Sequence, residues 1–469
     1  MFWKKMSRRG VLRILWAAFG LVACRDSGVG SVRGGLLAER RDPRTFLAFV
    51  TRTGTSTSTH TATATSTSMP NQTPSRTPTT SATASRTPTA SRTPTRTPAA
   101  TTPAPSASKV VHVRHADATN WNGSGAFYNA VNQGAVNAMA LTGLQQLTGQ
   151  GTWSQIWQAL FSSVQPGGYR EGQVIAIKVN FNNSGRDGNG CDTHNNLIDA
   201  LPHPVLALIQ GLAAAGVRAQ DIVVYDATVS GSQFPSYFRN PITASFAQVR
   251  FVGSSECLGV IAASHGKHPS LTVSFSDPAG ALSDRLLADV LYDATYLINM
   301  PILKRHGISP VTLAFKNHLG SLNAIVRSGQ DDMHRWISPS DSLYGAGYSP
   351  LVDINRNSHI RDKTILIAAD GVYGAFGAAM QAVVSWNIFG GAANSLLFSV
   401  DPVAVDCVMV DLLRAAGQAS KNDAYDYLFC AAEAGLGICE GSRSDPGGDP
   451  LSTPFGSGYH DITYSRLDL

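Results

Sequence analysis

Residues 297–322 read LINMPILKRHGISPVTLAFKNHLGSL. The stretch opens as an apolar, buried-strand pattern and closes as an apolar helical one, yet it carries Lys304, Arg305, His306, Lys316 and His318. Extending the strand back to residue 294 gives ATYLINMPIL, which ends at a loop bearing Lys304, Arg305, His306 and Gly307. Ser309 and Pro310 have the chemistry of an N-cap and a first helical residue, so a helix is expected from there to about Ile325. It would place Thr312 and Lys316, four apart, on one face. Strand C-termini in parallel sheets feed the ligand crevice, and a helix N-terminus offers free amides and a partial positive charge. The stretch therefore reads as an anion site.

The flanking pattern places it in an α/β domain. GQVIAIKVNFNN (172–183) is a β-branched strand, HPVLALIQGLAAAGV (203–217) has helical spacing, and DIVVYDAT (221–228) is a second strand. Strand, helix and strand with short joints make a βαβ unit and a mostly parallel sheet. VRFVG (249–253), SLTVSFS (270–276), KTILIAADGVYG (363–374) and SLLFSVD (395–401) read as further strands. DPVAVDCVMVDLLRAAG (401–417) reads as a helix capped by Asp401. A globular part of residues 109–469 is large for one core and leaves room for two lobes around a strand-end crevice.

Lys178 sits inside the first strand, where a lysine is costly unless paired; it can face the crevice or pair with Asp226 or Asp370. Residues 109–469 hold seven lysines, and three of them (Lys178, Lys304, Lys316) fall in these strand-end motifs. Asn180, Asn182 and Asn183 follow Lys178. Asp226, Asp370 and Asp401 recur at strand ends, and Asp406 follows one turn or so into the next helix. Capping is the better reading for Asp401. Asn180, Lys178, Lys304, Lys316 and Asn317 are the ligand-binding candidates, with His306 or Asp370 as the acid–base group. In CDTHNN (191–196), Cys191, Asp192 and His194 fit no metal-ligand spacing, and DDMHRW (331–336) is similarly weak, so no metal is assigned. No Walker loop, G-x-S-x-G or strand-linked G-x-G-x-x-G occurs.

Residues 1–108 have a different character. They hold 15 of the 37 basic and 3 of the 32 acidic residues, leaving 22 and 29 for the rest, a net charge of −7. The basic balance of the whole chain thus belongs to the N-terminal part, and no nucleic-acid partner is expected. SRRGVLR (7–13) followed by ILWAAFGLVAC (14–24) reads as a twin-arginine export signal ending in a lipobox, with cleavage before Cys24 and lipidation of its thiol. The expected location is the outer face of the cytoplasmic membrane. Residues 25–108, with SRTPT at 75–79, 85–89 and 91–95, read as a disordered linker. Of the other cysteines, Cys430–Cys439 suits a local disulfide, Cys191–Cys257 is a looser second pairing, and Cys407 reads as a buried thiol.

IAIKVNFN (175–182), HPVLALIQGLAAAGV with IVVYD (222–226), the opening stretch, AADGVYG (368–374) and DPVAVD (401–406) together resemble the bacterial and archaeal family called domain of unknown function 362. The resemblance covers roughly residues 170–415. It maps the family's motif positions onto Lys178, Asn180, Lys304, His306, Lys316, Asn317, Gly320, Asp370, Asp401 and Asp406, and brings no established reaction. Some relatives carry an added ferredoxin module; this chain has no C-x-x-C, so an iron–sulfur cluster is not carried over and the cofactor is left unknown. Two functions compete: an exported, tethered enzyme or cofactor protein binding an anionic small molecule, and a non-catalytic ligand-binding lipoprotein.

Overall fold

The computed structural model describes residues 108–469 except 182, 185–191, 193–196, 228–233, 377–385, 420–424 and 445–448. The described residues form one compact unit. Its frame is an 11-stranded sheet. In chain order the strands are β1 (Ser108–Arg114), β2 (Val174–Lys178), β3 (Ile222–Tyr225), β4 (Arg250–Gly253), β5 (Val260–Ala262) and β6 (Ala294–Asn299). They continue with β7 (Ile302–Arg305), β8 (Val311–Thr312), β9 (Thr364–Ala375), β10 (Ser395–Ser399) and β11 (Ile462–Asp468). The spatial order is β11-β1-β10-β9-β6-β2-β3-β4-β5, with β7 on β9 and β8 on β7. All contacts from β9 through β6, β2 and β3 to β5 are parallel, whereas β10 runs antiparallel to both its neighbours.

The inner strands are apolar up to Lys178, Asn299 and Asp370, which fall toward their C-terminal ends, because both faces are covered. Along β2 and β3, Ala176, Val223 and Tyr225 join one core, and Ile175, Ile177, Ile222 and Val224 join the other. The second core is covered by α1 (Gln133–Thr148), α2 (Trp153–Ser162) and α3 (Pro202–Ala214). The first packs α4 (Ala314–Asn317), α5 (Pro402–Ala415) and α6 (Asp426–Glu433). The two bodies of packed side chains are thus the two faces of one sheet. From β2 the chain steps outward through β3, β4 and β5, then returns to lay β6 on the other side of β2. This reversal makes the C-terminal ends of β2 and β6 a topological switch point, where α/β sheets bind ligands.

The opening stretch departs from its expected form. There is no helix from Ser309. Pro301 interrupts the apolar run, β7 resumes beyond it, and residues 306–310 turn back into β8, where Thr312 pairs with Lys304. Two local forces displace the helix start. The His306 ring accepts the Ile308 and Ser309 amides at 3.0 and 3.2 Å, a side chain–backbone alternative to helix. The cap is supplied from far along the chain: the Asp406 carboxylate accepts the Ala314 and Phe315 amides at 2.7 and 3.1 Å. One turn of helix results, followed by a 3₁₀ turn, His318–Ser321.

Other readings also shift. SLTVSFS contributes only Thr272–Val273, in a separate two-stranded sheet. The proposed Cys430–Cys439 bond is absent and both thiols are free. Cys430 lies 2.8 Å from Arg443 Nη2, while Cys439 packs against the buried Cys407 with 3.3 Å between sulfurs. Cys257 is in a disulfide; Cys191 and Cys24 lie outside the described residues, as does His194.

Candidate anion site

The three lysines converge at the switch point, in two different situations. Lys178, at the end of β2, is fully buried and paired: its Nζ lies 3.2 Å from Asp226 Oδ2, donates to Asn317 Oδ1 at 3.2 Å and to the Val179 carbonyl, and sits over the Tyr225 ring. Asp226 also accepts the Phe181 amide at 2.7 Å. Asn317 ties the strand ends together: its Oδ1 accepts from Asn180 Nδ2 as well, and its Nδ2 donates to Asn299 Oδ1 at 2.7 Å. Burial lowers the Lys178 pKa and Asp226 pulls it back up.

Lys304 and Lys316 are equally buried, at 1% and 8% exposure, but neither has a hydrogen-bond acceptor or carboxylate partner among the described residues. Both line one cavity of about 80 Å³ together with Asn180, Phe181, Asp226, His306, Thr312, Leu319, Gly320, Ile325 and His334. Two more polar atoms there lack partners: Asn180 Oδ1 and Thr312 Oγ1. Burial lowers the Lys304 pKa, partly offset by the charge of Asp199. Burial also carries Lys316 well below its usual range, and the neighbouring Lys304 pushes the same way. A buried ammonium without a counterion is costly, so an incoming anion would supply what the fold omits. A cavity of about 80 Å³ holds a few waters, the scale of a small oxyanion group.

Thr312 and Lys316 share the cavity although Thr312 stands on a strand, so the predicted neighbourhood is met by a route other than the predicted helix face. The His306 Nδ1 is occupied as an acceptor, which leaves the proton of the neutral ring on Nε2. Its ring lines both the lysine cavity and an outer cavity of about 380 Å³ beside Arg305 and Ser340. His334, from the weaker DDMHRW motif, also reaches the inner cavity, with Nδ1 2.9 Å from Asp332.

The remaining candidates take other positions. Asp370 does not line the lysine cavity. Its carboxylate accepts the Leu201 and Val372 amides, and burial pushes its pKa up to about 6. Asp401 is a helix cap, accepting the Val403 and Ala404 amides at 2.8 and 2.9 Å. Asp406 holds α4 from behind, also accepting from Tyr427 at 2.9 Å; burial moves its pKa up to about 7. His318 is buried against Ser321, and burial followed by the Lys178 charge lowers its pKa to about 3. Asp192 holds Ser236. Asp199, which the sequence did not single out, bears on Lys304 from a segment with no motif around it.

The family model described as "Domain of unknown function (DUF362)" matches residues 175–411. No curated protein and no solved structure matches the chain.

Proposed function

Because the chain belongs to the family named domain of unknown function 362, which brings a fold region but no reaction, we propose the function from the site: the protein binds a small oxyanion-bearing molecule at the ends of β2, β6 and β7, and acts on it. The observation that carries this reading is the pair of buried lysines, Lys304 and Lys316, facing one cavity with neither in an ion pair or side-chain hydrogen bond among the described residues. Thr312 Oγ1 adds a donor, and Asn180 Oδ1 adds an acceptor for a protonated or hydroxyl-bearing ligand. His306, whose Nε2 carries the proton, is the acid–base candidate because its ring borders both cavities. Asp370 is the reserve candidate, with a proton affinity near neutrality.

The cellular setting in this proposal rests on the sequence. SRRGVLR and LVAC support export and a lipid anchor on Cys24, and residues 25–108 support a tether holding the domain off the membrane. Among the described residues no helix is long and apolar enough to cross a membrane.

Calorimetric titration of the folded chain with inorganic phosphate and with acetate tests the site. Saturable binding of one anion, weakened more than about tenfold by Lys304→Met with Lys316→Met, is expected from loss of charge-assisted contacts. Unchanged binding in the double variant removes the proposal. A ligand that co-purifies and is recovered unaltered after incubation would favour the alternative, a non-catalytic binding lipoprotein.

A further inference from the structure

We propose that Lys316 is an amine nucleophile that forms an imine with a small 2-oxo acid whose carboxylate is held by Lys304. This rests on the anion-site reading and assigns different tasks to the two lysines. Lys304 has electrostatic support from Asp199 and can remain the cation. Among the described residues Lys316 has no such support; the charge acting on it is the like charge of Lys304. A buried lysine beside another cation relaxes by losing its proton, and the neutral amine is the nucleophilic form. The surroundings fit the rest of such a molecule. The cavity of about 80 Å³ takes a ligand of a few heavy atoms. Thr312 Oγ1, unpartnered and buried, can donate to the carbonyl oxygen. Asp226 lines the cavity but already serves Lys178 and the Phe181 amide.

The step balances without an oxidant or reductant. The Lys316 lone pair attacks the carbonyl carbon; the C=O π pair moves to oxygen, which takes a proton from the nitrogen to give a carbinolamine. The C–O bond then breaks with a proton supplied by solvent, water leaves, and the nitrogen becomes an iminium. The substrate's own carboxylate then lies between the new iminium and the Lys304 ammonium, and Asp199 carries the remaining compensation on the Lys304 side.

The experiment uses the full chain, pyruvate and borohydride, with peptide mass mapping. The expected result is one reduced adduct on Lys316, with trapping that rises with pH and is half-maximal below the ordinary lysine value of 10.5. Lys316→Arg should abolish the adduct while phosphate still binds; Lys304→Met should cut adduct yield more than about tenfold by loss of a charge-assisted contact. Adducts spread over Lys109, Lys267 and Lys363, or centred on Lys304, overturn the proposal. Absence of any adduct with phosphate binding intact overturns the imine alone. Absence of both overturns the anion site as well.

Discussion

Lys178 and Lys316 are two buried lysines at one switch point, and the fold treats them oppositely. Lys178 has an ion pair, two hydrogen-bond acceptors and an aromatic face. Lys316 has none of these among the described residues and opens on a cavity. The first is part of what holds the strand ends together; the second is a stability cost that a bound anion or loss of the proton offsets. A buried cation is therefore evidence for a site only after its partners have been counted.

The largest expected effect separates them directly. Lys178→Met leaves Asp226 buried without its lysine and should cost about 3–5 kcal/mol in denaturant unfolding. Lys316→Met removes an uncompensated amine and should leave stability unchanged or raise it by about 1 kcal/mol. Equal losses in the two variants would erase the distinction. Comparable in size, Asp406→Ala leaves the Ala314 and Phe315 amides and the Tyr427 hydroxyl without their acceptor, at about 1–3 kcal/mol for each of these buried groups that water does not reach. Anion affinity should fall with it, because α4 carries Lys316.

The pH dependences carry opposite signs. The Lys304 and Lys316 pKa values are lower in the folded state, so their stability penalty is full below those values and disappears as pH rises toward 10.5. Anion affinity should fall over the same rise, since the ammonium forms bind. Asp370 has its pKa raised from 3.8 to about 6, so the folded state holds its proton longer and stability drops as pH rises through that window. Asp370→Asn should flatten that drop, by up to about 2–3 kcal/mol, in unfolding measured from pH 4 to 7. The smallest effect on the site concerns the thiols. A mild dithiol oxidant should join Cys407 to Cys439 and leave Cys430 alkylatable by peptide mapping, following the 3.3 Å sulfur contact. A Cys430–Cys439 peptide would restore the pairing that sequence proximity favours.

The parallel sheet was legible because β2, β3, β6 and β9 are apolar runs buried on both faces, which leaves a strong local signature. The hairpin β7–β8 was not, because Ser309–Pro310 carries the same local signal in a turn as at a helix start. What decides between them is Asp406, 92 positions from Ala314, together with the His306 ring. The lysines were found as charges out of place in apolar runs; their difference in partners was not visible. That difference depends on which acids the topology pairs with each: Asp226 with Lys178, Asp199 toward Lys304, and, among the described residues, none with Lys316. Asp370 and Asp406 follow the strand-end pattern that marked them, yet one lies outside the lysine cavity and the other is occupied with backbone amides.

A crystal structure of the chain grown with selenate, read by selenium anomalous scattering, tests the central claim most directly. One strong peak is expected between the Lys304 and Lys316 amines, within hydrogen-bond reach of Thr312 Oγ1, together with its loss in the double methionine variant. A cavity holding only water, with both lysines neutral or turned onto carboxylates, would contradict it.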